Sequence, residues 1–224
     1  MIAKLLLQNS LYVVAMGVLL FASAGTLDWP AAWVFLITSA IIGPAVGLWL
    51  ARVDPALLEE RLRSPVQKDQ PAADKKFVLA FGLTVLAWFV AMGLDRRMHV
   101  SSIPLALQAV GLAMYFVSTA FIMWVFRENS FAAPVVKVQA ARDHHVVSTG
   151  PYALVRHPMY SGITLFFVGV PLLLGSWWGA AIALLFIVLF AIRARIEERA
   201  LIDGLPGYAD YAARVRYRLV PGIW

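Results

Sequence analysis

The segment Gly150–Gly162 combines side chains that recognise small charged ligands. An Arg156-His157 pair stands between Tyr152 and Tyr160, among prolines that deny helical geometry to the residues before them. An arginine fork suits a carboxylate, and a histidine can donate, accept or carry charge near neutral pH. A tyrosine face can lie against a cation or a heterocycle. The pattern therefore predicts a binding site for a small charged ligand.

A second polar cluster follows the last apolar stretch of the chain. Arg193 and Glu197 are four residues apart, so on a helix they share a face and can pair. Glu197 and Glu198 are the only acids between Asp143 and Asp203. A cationic group held near the first cluster would find its counter-charge here, although ordinary ion pairs at a helix end also fit the pattern.

The composition predicts an integral membrane protein. Of 224 residues, 61% are hydrophobic and 14% are charged, against about 25% charged in soluble domains. The absence of cysteine excludes disulfides, thiolate metal sites and cysteine nucleophiles. The net charge of +6 comes from loops beside apolar segments, so we interpret it as an orientation signal and expect no nucleic acid partner. We also expect no metal.

The apolar segments predict an all-α, polytopic fold with about six transmembrane helices. A crossing needs about 20 mostly apolar residues. Four segments qualify, namely Leu5–Ala24, Ala31–Ala51, Phe77–Leu94 and Ile103–Phe126. A fifth tract, Gly162–Ile192, is too long for one crossing, and Pro171 with the turn at residues 175–179 predicts a tight hairpin of two shorter helices.

The basic residues predict how these helices are oriented. One side of the six-helix arrangement holds 17 of the 19 lysines and arginines, and the other holds only Arg96 and Arg97. The positive-inside rule then places both termini and both polar clusters in the cytoplasm, at an inner, plasma or endomembrane. The mixed-charge loop Leu57–Lys76 is interpreted as a solvated connector. Gly43 and Gly47 are predicted to support helix packing.

The sequence divides into four N-terminal transmembrane helices, residues 1–126, and a region that holds both clusters, residues 127–224. Over roughly Asn129–Trp224 it resembles the isoprenylcysteine carboxyl methyltransferase family, which is related to the phospholipid methyltransferases. The first motif is His145-Val146-Val147-Ser148-Thr149-Gly150-Pro151-Tyr152, then Val155-Arg156-His157-Pro158-Met159-Tyr160-Ser161-Gly162. The second is Glu197-Glu198-Arg199-Ala200-Leu201, then Gly207-Tyr208, Tyr211, Val215 and Pro221. At Leu205-Pro206-Gly207-Tyr208 the family often has Phe-Gly before its tyrosine.

The resemblance implies a helical membrane enzyme that uses S-adenosylmethionine, with a cytosolic C-terminal pocket and a lipophilic acceptor that enters sideways from the bilayer. The cofactor would be surrounded by His145, Val146, Gly150, Tyr152, Arg156, His157, Pro158 and Tyr160, with Glu197 beside it. Arg193 and Glu197 match positions implied in catalysis or substrate orientation. Between the paired acids, Glu197 is favoured over Glu198.

These roles can be stated as hypotheses. Arg156 and His157 would hold the cofactor's carboxylate, Glu197 its ammonium or ribose, and Arg193 would steer an anionic acceptor. Tyr160 would lie near the sulfonium.

The acceptor stays open at this point. Methylation of a lipophilic carboxylate is favoured, and a phospholipid amine or a small hydrophobic thiol also fits. A transporter or assembly factor is disfavoured because the centres of the spans nearly lack ionisable residues. A membrane reductase with a nicotinamide cofactor is a further alternative.

Overall fold

The computed structural model describes residues 1–68 and 70–224, and within that range the chain is helical with no β-strand. The α-helices are α1 (Ile2–Ala24), α2 (Pro30–Val53), α3 (Pro55–Arg61), α4 (Ala72–Met98), α5 (Leu105–Glu128), α6 (Pro158–Leu174), α7 (Trp177–Gly204) and α8 (Tyr208–Arg214). The predicted all-α membrane architecture is confirmed. Helices α1, α2, α4, α5 and α7 are long and apolar enough to span a bilayer.

The predicted hairpin is present, but its two helices are unequal. Helix α6 has 17 residues, whereas α7 has 28 and continues well past the predicted end at Ile192. Pro171 lies inside α6, so the prediction that it breaks the helix was wrong. The break occurs at Gly175, whose φ of 79° is left-handed and ends the helix, and Ser176 then caps α7 by accepting from the Gly179 N–H.

The short helix α6 still runs from one end of the bundle to the other. Its first turn lies beside Glu198 near the end of α7, where His157 Nε2 is 3.3 Å from a carboxylate oxygen. Beyond its last turn, Ser176 donates at 2.5 Å to Asp95 near the end of α4. The number of six crossings remains a prediction, since α6 is shorter than the other spans.

Glycines let neighbouring helices approach closely. A Cβ on Gly111 of α5 would lie 2.4 Å from the Leu173 nitrogen of α6, so the two backbones touch there. The predicted packing role of Gly43 and Gly47 is confirmed. A Cβ at these positions would lie 1.9 Å from an Asn9 side-chain oxygen and 2.5 Å from Leu5 of α1.

The connector between α2 and α4 is folded, so its interpretation as a solvated loop was wrong. It contains α3, where Asp54 caps the helix by accepting from the Leu57 N–H at 2.9 Å. Leu57 and Leu58 are buried, and Glu60 is buried against Lys137 from the loop that follows α5. The charge of Glu60 misleads because its partner, Lys137, comes from a loop that is distant in the sequence.

The C-terminal residues return to the first polar cluster. The backbone N–H of Arg156 donates to the Tyr217 carbonyl, and that of His157 donates to the Arg218 carbonyl, each at 2.9 Å. Ser161 Oγ donates to the Leu219 carbonyl at 2.6 Å. The chain that follows α8 therefore forms a strap across the start of α6.

Candidate functional site

A cavity opens where the loop after α5, the first turn of α6, the end of α7 and helix α8 meet. Its volume is about 70 Å³, and it is partly open to solvent. Seven of the predicted site residues line it, namely His145, Val146, Tyr152, Arg156, His157, Tyr160 and Glu197. Two clusters that are 40 residues apart in sequence thus meet at one cavity.

The other three predicted site residues lie behind this lining. Gly150 has a φ of 55°, and a Cβ there would lie 2.6 Å from the side chain of Glu128, so this glycine shapes the turn before the motif. Pro158 begins α6. Arg193 stands behind the ring of Tyr160, with its guanidinium carbon 5.8 Å from the ring centroid.

The paired acids face different surroundings. Glu198 is buried and does not line the cavity; it accepts from Arg156 Nε at 2.6 Å and Arg218 Nε at 2.9 Å. Glu197 lines the cavity, accepts a hydrogen bond from the Tyr160 hydroxyl and lies 3.7 Å from His157 Nδ1. Glu197 is therefore accessible to a ligand in the cavity, whereas Glu198 makes ion pairs inside the protein.

Most of the Arg156 guanidinium is used inside the protein. Besides the bond from Nε to Glu198, Nη1 donates to the carbonyls of Ala212, Val215 and Arg216 at 3.2, 2.7 and 3.1 Å. These acceptors belong to the end of α8 and the strap that follows it. Arg156 thus ties the C-terminal segment to the cavity wall, and a ligand at the cavity meets a side chain that is already held in place.

Arg193 pairs with a residue that the helix-face argument could not identify. Its Nε lies 3.2 Å from Oδ1 of Asp74, which is fully buried in the first turn of α4, and its Nη2 donates to the Pro134 carbonyl at 2.5 Å. No ion pair joins Arg193 to Glu197 among residues 1–68 and 70–224, so the pairing that their helix spacing allows is not formed. The packing of α4 against α7 places the carboxylate of Asp74 next to Arg193, where it pairs in place of Glu197.

Aromatic side chains form much of the cavity wall. The ring of Tyr160 is stacked between His157 and Phe190, at centroid distances of 5.5 and 5.2 Å. The buried Tyr208 hydroxyl lines the cavity and has no hydrogen-bond partner in the described part of the chain. Burial raises the pKa of Tyr208, so this hydroxyl stays protonated and can donate to a ligand. An unpartnered buried hydroxyl fits a site that binds a polar cofactor.

The loop after α5 contributes residues that sequence reasoning did not single out, Phe131 and Lys137 among them. His144 is stacked on Phe131 with centroids 4.4 Å apart, and its Nδ1 accepts from the Gln139 N–H at 3.2 Å. Burial, followed by the nearby positive charges, lowers the pKa of His144 to about 4. The loop carries little local periodicity, so only its fold against α3 and α7 reveals these contacts.

The described residues do not bring three histidine, aspartate or glutamate side chains together as a metal site would. The expectation that no metal is required stays a prediction.

The comparisons with known proteins agree with this site. Residues 107–204 match the phospholipid methyltransferase family model. The matched region begins within α5 and includes the first polar cluster, the hairpin and both paired acids. It covers less than half of the chain, and the cavity also uses α8 outside it.

The fold is also similar to a solved structure. The eukaryotic intramembrane Ras methyltransferase, an isoprenylcysteine carboxyl methyltransferase, superimposes with a TM-score of 0.52 and 21% sequence identity. The match covers 97% of this chain and 86% of that protein. The resemblance inferred from the two motifs is therefore confirmed at the level of fold.

A curated relative is the cobalt-zinc-cadmium resistance protein CzcN of Cupriavidus metallidurans, which is 32% identical over 78 residues. That match spans 34% of this chain and 36% of the length of CzcN.

Proposed function

We propose that this protein transfers a methyl group from S-adenosylmethionine to a carboxylate oxygen of a lipophilic acceptor. The observation that carries this proposal is the convergence at one cavity of His157, Tyr160 and Glu197, all of which lie within the residues that match the phospholipid methyltransferase family model. The similar solved structure, described as an isoprenylcysteine carboxyl methyltransferase, supports the choice of acceptor class.

The residues at the cavity suit the polar groups of this cofactor. Glu197 can accept from its ammonium or ribose, and the Tyr208 hydroxyl can donate to an oxygen or ring nitrogen. His157 faces the same space, and Tyr160 offers an aromatic face that attracts a cation. The 70 Å³ cavity is narrow, so binding would require its loop wall to move outward.

The chemistry requires orientation more than acid–base help. When bound, S-adenosylmethionine supplies an electrophilic methyl group: the carboxylate oxygen forms a bond to its carbon, the carbon–sulfur bond breaks, and the electron pair stays on sulfur. No proton is transferred, so the site needs no general base. The protein's contribution is alignment of the reacting atoms, which can be worth roughly 7–11 kcal/mol. Stacking of Tyr160 between two rings provides a fixed surface for this alignment.

We also propose that the cavity and both termini face the cytoplasm. The positive-inside pattern supports this orientation, with 17 of 19 basic residues at the cavity end.

N-methylation of a phospholipid headgroup is the second candidate, favoured by the description of the matched family. Labelled methyl groups distinguish the two. A base-labile ester on a prenylated carboxylate supports the first proposal, and label on a lipid headgroup nitrogen supports the second.

The first test is calorimetric titration of S-adenosylmethionine into the detergent-purified protein. We expect binding that Glu197→Gln weakens by about tenfold, because a charge-assisted hydrogen bond is lost. The matched control is Asp203→Asn, an exposed acid on the same helix. Absence of binding to folded wild-type protein would overturn the proposed cofactor.

A further inference from the structure

The buried and partly buried cations around the cavity are almost all paired with a carboxylate. These pairs are Arg156 with Glu198, Arg193 with Asp74, and Lys137 with Glu60. Arg61 is the exception. Among residues 1–68 and 70–224, no carboxylate oxygen lies within ion-pair distance of its guanidinium, although the side chain is partly buried.

Arg61 lies directly behind the cavity wall. From the end of α3 its Nη1 donates to the Ala132 carbonyl at 2.8 Å and lies 3.8 Å from the sulfur of Met159. Ala132 and Met159 both line the cavity. On the other side the guanidinium carbon is 4.3 Å from the ring centroid of Phe126, in the last turns of the membrane helix α5. Arg61 therefore stands between the cavity wall and the buried last turn of the membrane helix α5.

The donors of Arg61 are incompletely used. A guanidinium has five N–H groups, and within the described residues the hydrogen bonds of Arg61 involve only Nη1. Nε and Nη2 together form the fork that binds two oxygens of a carboxylate or phosphate. The ring of Phe126 holds the plane of this fork in position.

The local charge balance also favours an anion. Burial and the nearby positive charge of Arg193 lower the pKa of Arg61 to about 10, so the group remains charged at neutral pH. Asp74 neutralises Arg193 from the α4 side, and no corresponding acid serves Arg61 in the described chain. Keeping a cation without a partner in partly buried surroundings is costly, and an incoming anion would relieve that cost.

We propose that Arg61 binds the carboxylate of the lipophilic acceptor and sets the specificity for an anionic headgroup. This inference rests on the proposed function and changes one of its assignments. The expected steering residue, Arg193, is engaged by Asp74 and the Pro134 carbonyl, whereas Arg61, beside the cavity wall, has donors without a protein partner among residues 1–68 and 70–224.

The test compares two ligands that differ only in charge. N-acetyl-S-farnesylcysteine and its carboxamide are titrated into the wild-type protein saturated with S-adenosylhomocysteine. We expect the carboxylate to bind about ten- to a hundredfold more tightly than the amide, as for a hydrogen-bonded ion pair. In Arg61→Gln this preference should disappear while S-adenosylhomocysteine affinity is unchanged. Arg61→Lys should restore part of it, because it keeps the charge and loses the fork.

The control is Arg52→Gln, which removes an exposed arginine from the same end of the molecule and should keep the full preference. Thermal unfolding of each variant checks that it is folded. If S-adenosylhomocysteine does not bind the wild type, the proposed function fails. If it binds but the wild type shows no preference for the carboxylate, or Arg61→Gln retains that preference, the role of Arg61 is wrong and the cofactor assignment stands.

Discussion

Among single residues, the adjacent acids Glu197 and Glu198 have different environments. A helix turns by about 100° per residue, so Glu197 and Glu198 point in different directions from α7. One faces the cavity and the Tyr160 hydroxyl, and the other is enclosed by Arg156 and Arg218. The sequence singled out both acids, and it could not tell which one was buried because that depends on the position of the C-terminal strap.

This difference in surroundings predicts that the same substitution lowers stability at Glu198 and ligand affinity at Glu197. Glu198→Gln should lower the stability by roughly 3 kcal/mol, because it leaves the buried charge of Arg156 without its counter-ion. Glu197→Gln should leave the unfolding midpoint nearly unchanged while it weakens cofactor binding. Thermal unfolding in detergent measures both variants. A larger loss of stability in Glu197→Gln than in Glu198→Gln would contradict the assignment.

At the scale of elements, the loop after α5 is held to the helices by polar contacts. The Val136 N–H donates to Asp74 of α4 at 2.9 Å, and Lys137 pairs with Glu60 of α3. Its outer part depends on neutral His144, whose Nδ1 accepts the Gln139 N–H. A loop fixed by a few polar contacts can open at modest cost, which suits the proposed binding of a cofactor at this narrow cavity.

This loop should become less stable in mild acid. The pKa of His144 is about 4 in the folded loop, below the value near 6.5 of an exposed histidine. The opened loop therefore takes up a proton that the closed loop does not, so stability is fully present above pH 6.5 and falls as the pH drops towards 4. Hydrogen exchange over residues 139–147, corrected for intrinsic rates, should show this loss between pH 7 and pH 5.

The matched variant is His144→Gln, which cannot titrate and should show a flatter pH dependence over the same residues. His145, which is exposed and also next to Phe131, remains in both proteins and serves as an internal control. An equal pH dependence in the two proteins would show that another group controls the loop.

At the scale of the whole molecule, the N-terminal helices support a cavity formed mainly by the C-terminal region. Trp88 of α4 is fully buried and donates to the Gly179 carbonyl of α7 at 2.8 Å, and α5 packs against α6 through glycine. These contacts fix the positions of α6 and α7, and therefore the positions of His157 and Glu197 at the cavity.

The packing of α5 on α6 predicts a sharp contrast between two glycines. Gly111→Ala should destabilise the protein by about 1–3 kcal/mol, because the added Cβ meets the backbone of α6 and the helices must separate. Gly82→Ala on α4 should be neutral or stabilising, since no atom lies within 4 Å of its new Cβ. Unfolding midpoints in the same detergent compare them. Equal effects would mean that the close approach does not support the fold.

The amino-acid sequence alone was enough to predict the membrane class, the positions of the long helices, the hairpin and the two clusters that meet at the cavity. These features depend on local hydropathy, turn residues and short motifs, which act between neighbours in the chain. Other features depend on tertiary packing, which buries Glu198, pairs Arg193 with Asp74 and places Arg61 beside the cavity without a carboxylate among the described residues. Charged side chains pair with oppositely charged groups that are near in space. Packing brings such groups together from distant positions, 42 apart for Arg156 and Glu198 and 119 apart for Arg193 and Asp74.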